Sequence, residues 1–168
     1  MRKNSQEHLP LMGVGPICIA VIFAFTVGGI VLKKIGMIAK GDIGNPVVSA
    51  IFIVAGVTLV VGGIALWCTA VLKARIDEKI KSNQLATEGV YGLVRNPIYS
   101  AFLFLCTGVL LFCRNWLLLI LPFIFWGFLT AVMKLTEEKW LKNRFGESYE
   151  AYCKRVNRFI PCKRIKNR

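Results

Sequence analysis

Four stretches of this chain carry no charged side chain, and that property limits what it can fold into. Leu11 to Leu32 and Val47 to Leu72 are the long ones; Ile98 to Cys113 and Trp116 to Met133 are shorter. At about 1.5 Å per helical residue, each long run can cross a hydrocarbon core of about 30 Å. Inside lipid every backbone N–H and C=O must find a partner within the chain, so runs this apolar are helices. The spacing predicts an all-α, polytopic membrane protein with four transmembrane helices, over about residues 11–32, 47–72, 98–113 and 116–134. Only Arg114 and Asn115 separate the last two runs, which predicts a tight helical hairpin. The third run has 16 residues. It reaches only about 24 Å, so it needs its flanks or a locally thin bilayer to cross. The N-terminal tail holds Arg2 and Lys3, but no small-residue cleavage site follows, so the first run reads as a retained span.

Charge supplies the topology. Eighteen of the 22 lysines and arginines fall in the N-tail, the loop 73–97 and the tail 135–168 with Lys134; Lys33, Lys34, Lys40 and Arg114 fall on the other side. That bias puts both termini in the cytoplasm. A net charge of +13 in a soluble chain would point to nucleic acid. Here 55% of residues are hydrophobic and no base-reading module is present, so the basic loops are expected to face anionic lipid, with no nucleic-acid partner. Six cysteines form no C-x-x-C pair and the lone histidine is His8, which gives neither a disulfide framework nor a metal site.

Beyond the fourth run, Lys134 to Phe145 has no Pro or Gly and is expected to extend that helix past the membrane. Gly146 supplies a stop. Tyr149, Tyr152, Cys153 and Val156 then recur on one helical face, and Pro161 ends the segment, making a cytoplasmic C-terminal helical cap. Pro122 marks an expected kink in the fourth span, and Gly28-Gly29 and Gly62-Gly63 an expected close packing of helices.

Two places could carry chemistry. Residues 89 to 99 read Gly-Val-Tyr-Gly-Leu-Val-Arg-Asn-Pro-Ile-Tyr. Pro97 fits the first turn of the third helix, which puts Arg95 and Asn96 at an N-terminus whose free N–H groups attract anions. Tyr91 and Tyr99 add rings with polar ends; equally, interfacial tyrosines and a helix-starting proline suit any membrane protein. The second place is Glu137-Glu138, an acidic pair on an otherwise basic side. Glu138 can simply pair with Lys142 at i+4, or the two acids can anchor a cationic ligand.

Together these segments resemble the isoprenylcysteine carboxyl methyltransferase and phospholipid methyltransferase superfamily of integral membrane enzymes. One carrier is Leu85-Ala86-Thr87-Glu88-Gly89-Val90-Tyr91-Gly92-Leu93-Val94-Arg95-Asn96-Pro97-Ile98-Tyr99, which is similar to the family's glycine–tyrosine–Arg-His-Pro-x-Tyr segment. The other is Glu137-Glu138 followed by Leu141, Phe145-Gly146, Tyr149, Tyr152, Arg155-Val156 and Phe159-Ile160-Pro161. The resemblance implies methyl transfer from S-adenosylmethionine to a lipophilic small-molecule or lipid acceptor at the cytoplasmic membrane face. It implies a donor site of Asn83, Gln84, Leu85, Ala86, Tyr91, Asn96, Pro97, Ile98, Tyr99, Glu137 and Glu138, with Arg95, Asn96 and Tyr99 as catalytic candidates and no metal. Where the family has His before Pro this chain has Asn96, which hydrogen-bonds but takes no proton near neutral pH.

The donor carries a sulfonium, an ammonium and a carboxylate. A glutamate can hold the ammonium, helix N–H groups or Arg95 the carboxylate, and aromatic faces can border the sulfonium. Membrane lipid reduction with NADPH, and a non-catalytic membrane protein that keeps the fold, are the alternative readings. A carboxylate on a prenylated cysteine, a phospholipid amine and a small hydrophobic thiol or amine all fit as the acceptor that the resemblance implies.

Overall fold

The computed structural model describes residues 14–73 and 85–161. The tail bearing His8, the part of the loop with Asn83 and Gln84, and the last basic residues with Cys162 lie outside the described residues. Five α-helices carry the described chain: α1 Gly15–Lys34, α2 Pro46–Cys68, α3 Pro97–Phe112, α4 Ile120–Leu135 and α5 Glu137–Arg155. Among the described residues the only β-type pairings are two isolated bridges, Asp42 with Asn115 and Val94 with Asn157.

Three segments are long and apolar enough to cross a membrane: Gly15–Lys34, Pro46–Val71 and Leu117–Leu135. The Pro97–Phe112 helix is apolar but shorter, at 16 residues. It is the best-buried of the four, because it packs along α2 and also meets α1 and α4. α2 and α3 approach closely because each offers a glycine at the crossing. A Cβ on Gly108 would lie 2.7 Å from the Gly56 carbonyl oxygen, and one on Gly63 2.9 Å from that of Ala101. Of the expected glycine pairs only one member of each is used: Gly29 and Gly63 face neighbours, while Gly28 and Gly62 meet nothing. Large apolar side chains such as Phe23, Phe25, Ile51, Val54 and Phe123 point outward from the bundle, as surfaces built for lipid do.

Two sequence expectations change. Pro122 makes no kink inside a helix: a 3-10 turn over Leu117–Leu119 precedes α4, and the proline falls in the first turn of the α-helix, where its missing N–H costs nothing. The fourth helix also does not run on past Leu135. Thr136 takes φ −116° and ψ −87°, and a new helix begins at Glu137. The Thr136 hydroxyl and N–H both donate to the Val132 carbonyl, at 2.7 and 3.0 Å, which closes α4 and lets α5 leave at a different angle. Gly146 does interrupt the chain, with φ +51°, but the helical path resumes to Arg155.

At the end of the bundle away from α5, Asn115 is fully buried and fully used. Its amide donates to the Ile38 carbonyl and to Asp42 Oδ1, both at 2.8 Å, and its Oδ1 accepts from Leu117 N at 3.0 Å. Lys33 adds an ion pair with Asp42 at 3.0 Å. The α1–α2 connection is thereby fastened to the link between α3 and α4. The Asn115 hydrogen bond, with Lys33 second, holds the Asp42 carboxyl below its ordinary value. Asn115→Ala removes three hydrogen bonds at a buried position and takes the acceptor from Leu117 N, which should cost about 2 kcal/mol; thermal unfolding in detergent checks it.

Candidate functional site

Val94, Arg95 and Asn96 are held by the tail. Arg95 N donates to the Asn157 carbonyl at 2.9 Å and Asn96 N to that of Arg158 at 3.1 Å. Pro97 opens α3 as expected. The Asn96 side chain, however, does not cap the helix; its carbonyl accepts instead from Ser100 N and Ser100 Oγ. Val94, Pro97 and Phe159 are buried under this seam. Just before it, Gly89 adopts φ +61° and starts a 3-10 turn over Gly89–Gly92, a backbone that glycine takes without strain. The Tyr91 carbonyl at that turn accepts from the Tyr152 hydroxyl at 2.6 Å. Tyr149, Tyr152 and Val156 form a buried cluster on which Leu85 packs. The predicted stripe is therefore the core that ties the tail to the loop.

The break at Thr136 gives the two adjacent carboxylates opposite surroundings. Glu137 points to α3, where the Tyr99 hydroxyl donates to its Oε1 at 2.6 Å. Gly15 of α1 makes room there: a Cβ on it would stand 3.0 Å from the Tyr99 hydroxyl oxygen. No lysine or arginine among the described residues pairs with Glu137. Burial raises the Glu137 carboxyl above its usual range and the Glu138 charge adds to that, against the opposing Tyr99 hydrogen bond. Tyr91 belongs to the same neighbourhood: burial, then the negative charge of Glu137, pushes its phenol up to about 12. It stays protonated near neutral pH.

Glu138 faces the other way and is saturated with cations. Arg158 grips it through Nε at 2.6 Å and Nη2 at 2.8 Å, and Arg95 Nη1 lies 3.1 Å from Oε1. The expected Glu138–Lys142 pair is not formed; Lys142 pairs instead with Glu150 at 2.7 Å, because the bend at Gly146 brings the two halves of α5 together. Arg95 Nη1 also donates to the Tyr149 hydroxyl at 3.3 Å and to Cys153 Sγ at 2.6 Å, which leaves its buried Nε as the atom without a partner.

Of the site residues named from sequence, the fold gathers Leu85, Tyr91, Arg95, Asn96, Pro97, Tyr99, Glu137 and Glu138 at one end of the bundle. Ile98 and Ala86 are half-buried beside them, and Asn83 and Gln84 lie outside the described residues. Sequence reasoning missed Arg158 and Gly15. Arg158 sits in a run of basic residues with nothing to distinguish it; only the fold shows which one reaches Glu138.

An all-helical, lipid-compatible bundle with a tyrosine-bordered carboxylate at one end defines a class of membrane protein, and comparison gives it a family. The chain belongs to the phospholipid methyltransferase family, which it matches over residues 45–148. It is 35% identical over 86 residues to protein-S-isoprenylcysteine O-methyltransferase of Schizosaccharomyces pombe, covering 51% of this chain and 36% of that one. It is 30% identical over 114 residues to protein-S-isoprenylcysteine O-methyltransferase B of Arabidopsis thaliana, covering 63% and 57%. A probable protein-S-isoprenylcysteine O-methyltransferase of Oryza sativa subsp. indica is 31% identical over 94 residues, covering 55% and 47%. The chain thus spans between about a third and three fifths of the length of these relatives. No solved structure matches it.

Proposed function

We propose that this protein transfers a methyl group from S-adenosylmethionine to a lipophilic acceptor at the cytoplasmic face of a membrane. One observation carries the reading: Glu137 is a half-buried carboxylate with a tyrosine partner and no cation among the described residues. A carboxylate kept that way, on a side of the protein otherwise rich in lysine and arginine, is a seat for a cationic ligand. The names of the relatives support methyl transfer.

S-adenosylmethionine supplies a methyl group on a sulfonium sulfur, and carries an ammonium and a carboxylate with which it can be held. Glu137 holds the ammonium, and the faces of Tyr91 and Tyr99 border the positive sulfur. The first-turn N–H groups of Ile98 and Tyr99, at the positive end of α3, receive the carboxylate. Arg95 is committed to Glu138, Tyr149 and Cys153, so it shapes the wall of the site. Asn96 offers an amide to the donor or acceptor and takes no proton. An acceptor that arrives deprotonated needs no base, and the protein's service is alignment and exclusion of water. Leu85 and Ala86 complete the lining, Pro97 fixes the start of α3 from beneath it, and Asn83 and Gln84 lie beyond the described segment.

The same reading assigns four spans, the Pro97–Phe112 helix being the short third one, joined to the fourth by a tight hairpin. Both termini and the α5 cap then lie in the cytoplasm, a soluble donor reaches the site from that side, and a greasy acceptor reaches it from the bilayer.

The test is incubation of purified protein with methyl-labelled S-adenosylmethionine and host lipid extract, with NADPH titrated in parallel. Label entering a lipid-soluble species is the expected result. Binding of NADPH in place of S-adenosylmethionine would establish the reductase reading instead, and binding of neither the non-catalytic one.

A further inference from the structure

A second recognition surface lies on the other side of the Glu138 wall. A cleft of about 480 Å³ is framed by the end of α4 and the two halves of α5, with Lys134, Lys139, Lys142 and Lys154 on its rim. The acids that line it are spoken for: Glu150 is bound to Lys142 at 2.7 Å, and Glu138 to Arg158 and Arg95. Lys134, Lys139 and Lys154 form no ion pair among the described residues, and all three are exposed. Lys154 lies near Glu150 without reaching ion-pair distance, and with Lys134 and Lys139 it leaves an excess of positive charge, from three segments, around one concavity.

Its place decides the source of the anion. Lys134 is in the last turn of α4, at the end of the apolar stretch Leu117–Leu135. Leu135 beside it is 75% exposed, and Ile124 and Trp126 are exposed further along the same helix. Acyl chains cover that apolar surface in any case, and they bring lipid phosphates to the level of the lysines. A lipid uses both, with its phosphate among the ammonium groups and its acyl chains along the helix.

We propose that this cleft binds the headgroup of an anionic phospholipid from the adjoining leaflet. The site is separate from Glu137, does not rest on methyl transfer, and fixes the depth and tilt of α5 against the membrane.

The experiment uses the full chain in a neutral detergent. Short-chain phosphatidylglycerol, phosphatidylcholine of equal chain length and inorganic phosphate are each titrated, with bound lipid counted by native mass spectrometry. Phosphatidylglycerol should bind most tightly, weaken with added salt, and resist competition by inorganic phosphate at equal concentration. The variant Lys134→Gln/Lys139→Gln/Lys154→Gln should lose about fivefold in affinity for each lysine removed. Lys34→Gln/Lys40→Gln, at the opposite end of the bundle, should lose nothing. Unchanged affinity in the triple variant overturns the proposal, as does phosphate matching the lipid, or a soluble acidic peptide displacing it. If the triple variant does not fold, Lys139→Gln alone serves: a fivefold loss with a shallower salt dependence supports the site, and wild-type behaviour overturns it.

Discussion

Glu137→Gln should weaken binding of S-adenosylmethionine by about a hundredfold, roughly 2.7 kcal/mol, measured by calorimetry on detergent-solubilised protein. The size follows from what the substitution leaves behind. The amide keeps the shape and can still accept from Tyr99, now 2.6 Å from Glu137 Oε1, but it cannot neutralise an ammonium in a half-buried site. pH gives a second signature. Burial raises the Glu137 carboxyl above the ordinary glutamate value, and only the carboxylate attracts the donor. Affinity should therefore fall as pH drops through that raised value, earlier than for a solvent-exposed glutamate, and the slope should vanish in Glu137→Gln. Stability runs the other way. The folded value lies above the unfolded one, so between the two the native state holds more protons, and stability declines as pH rises through that window. In ligand-free protein at neutral pH, Glu137→Gln should be as stable as the native chain or more so. A variant that binds the donor like wild type would remove Glu137 from the site.

How much of this was legible in the sequence depends on the range of the interaction. The helices followed from uncharged runs, since lipid allows few alternatives for the backbone. Pro97 at the start of α3 and the break at Gly146 followed from side-chain geometry that acts within a turn. The packed Tyr149–Tyr152–Val156 face followed from period alone. The end of α4 did not. Nothing in Lys134 to Phe145 forbids a continuous helix, and Thr136 is a modest helix former at worst. The break exists because the tertiary fold turns Glu137 toward Tyr99 and Glu138 toward Arg158, which no local propensity encodes. The Glu138–Lys142 expectation failed for a related reason: i+4 spacing assumes a straight helix, and the bend at Gly146 offered Lys142 a closer partner in Glu150. The family resemblance placed the two motifs together, but not Glu138 as the acid that Arg95 and Arg158 share.

That division sets the other large effect. Glu138→Ala should destabilise the folded protein by about 3–5 kcal/mol, seen as a lower unfolding midpoint in detergent. It leaves Arg95, with 8% of its side chain exposed, and Arg158, with 18%, facing one another without their shared acid. The resemblance puts Glu138 beside Glu137 in the donor site, whereas the fold commits it to Arg158 and Arg95. Its weight lies in joining the loop to the tail: Arg95 comes from one, Arg158 from the other, and the backbone bonds from Arg95 to Asn157 and Asn96 to Arg158 run beside it. A double-mutant cycle separates this role from a direct one. Glu138→Ala and Arg158→Ala share one interaction, so their combination should cost less than the sum of the two. Donor affinity, measured on the folded fraction, should fall far less in Glu138→Ala than in Glu137→Gln. Wild-type stability in Glu138→Ala would mean that the arginine network does not hold the seam. An affinity loss equal to that of Glu137→Gln would mean that both acids touch the donor, and the two faces of the Thr136 break would then belong to a single site.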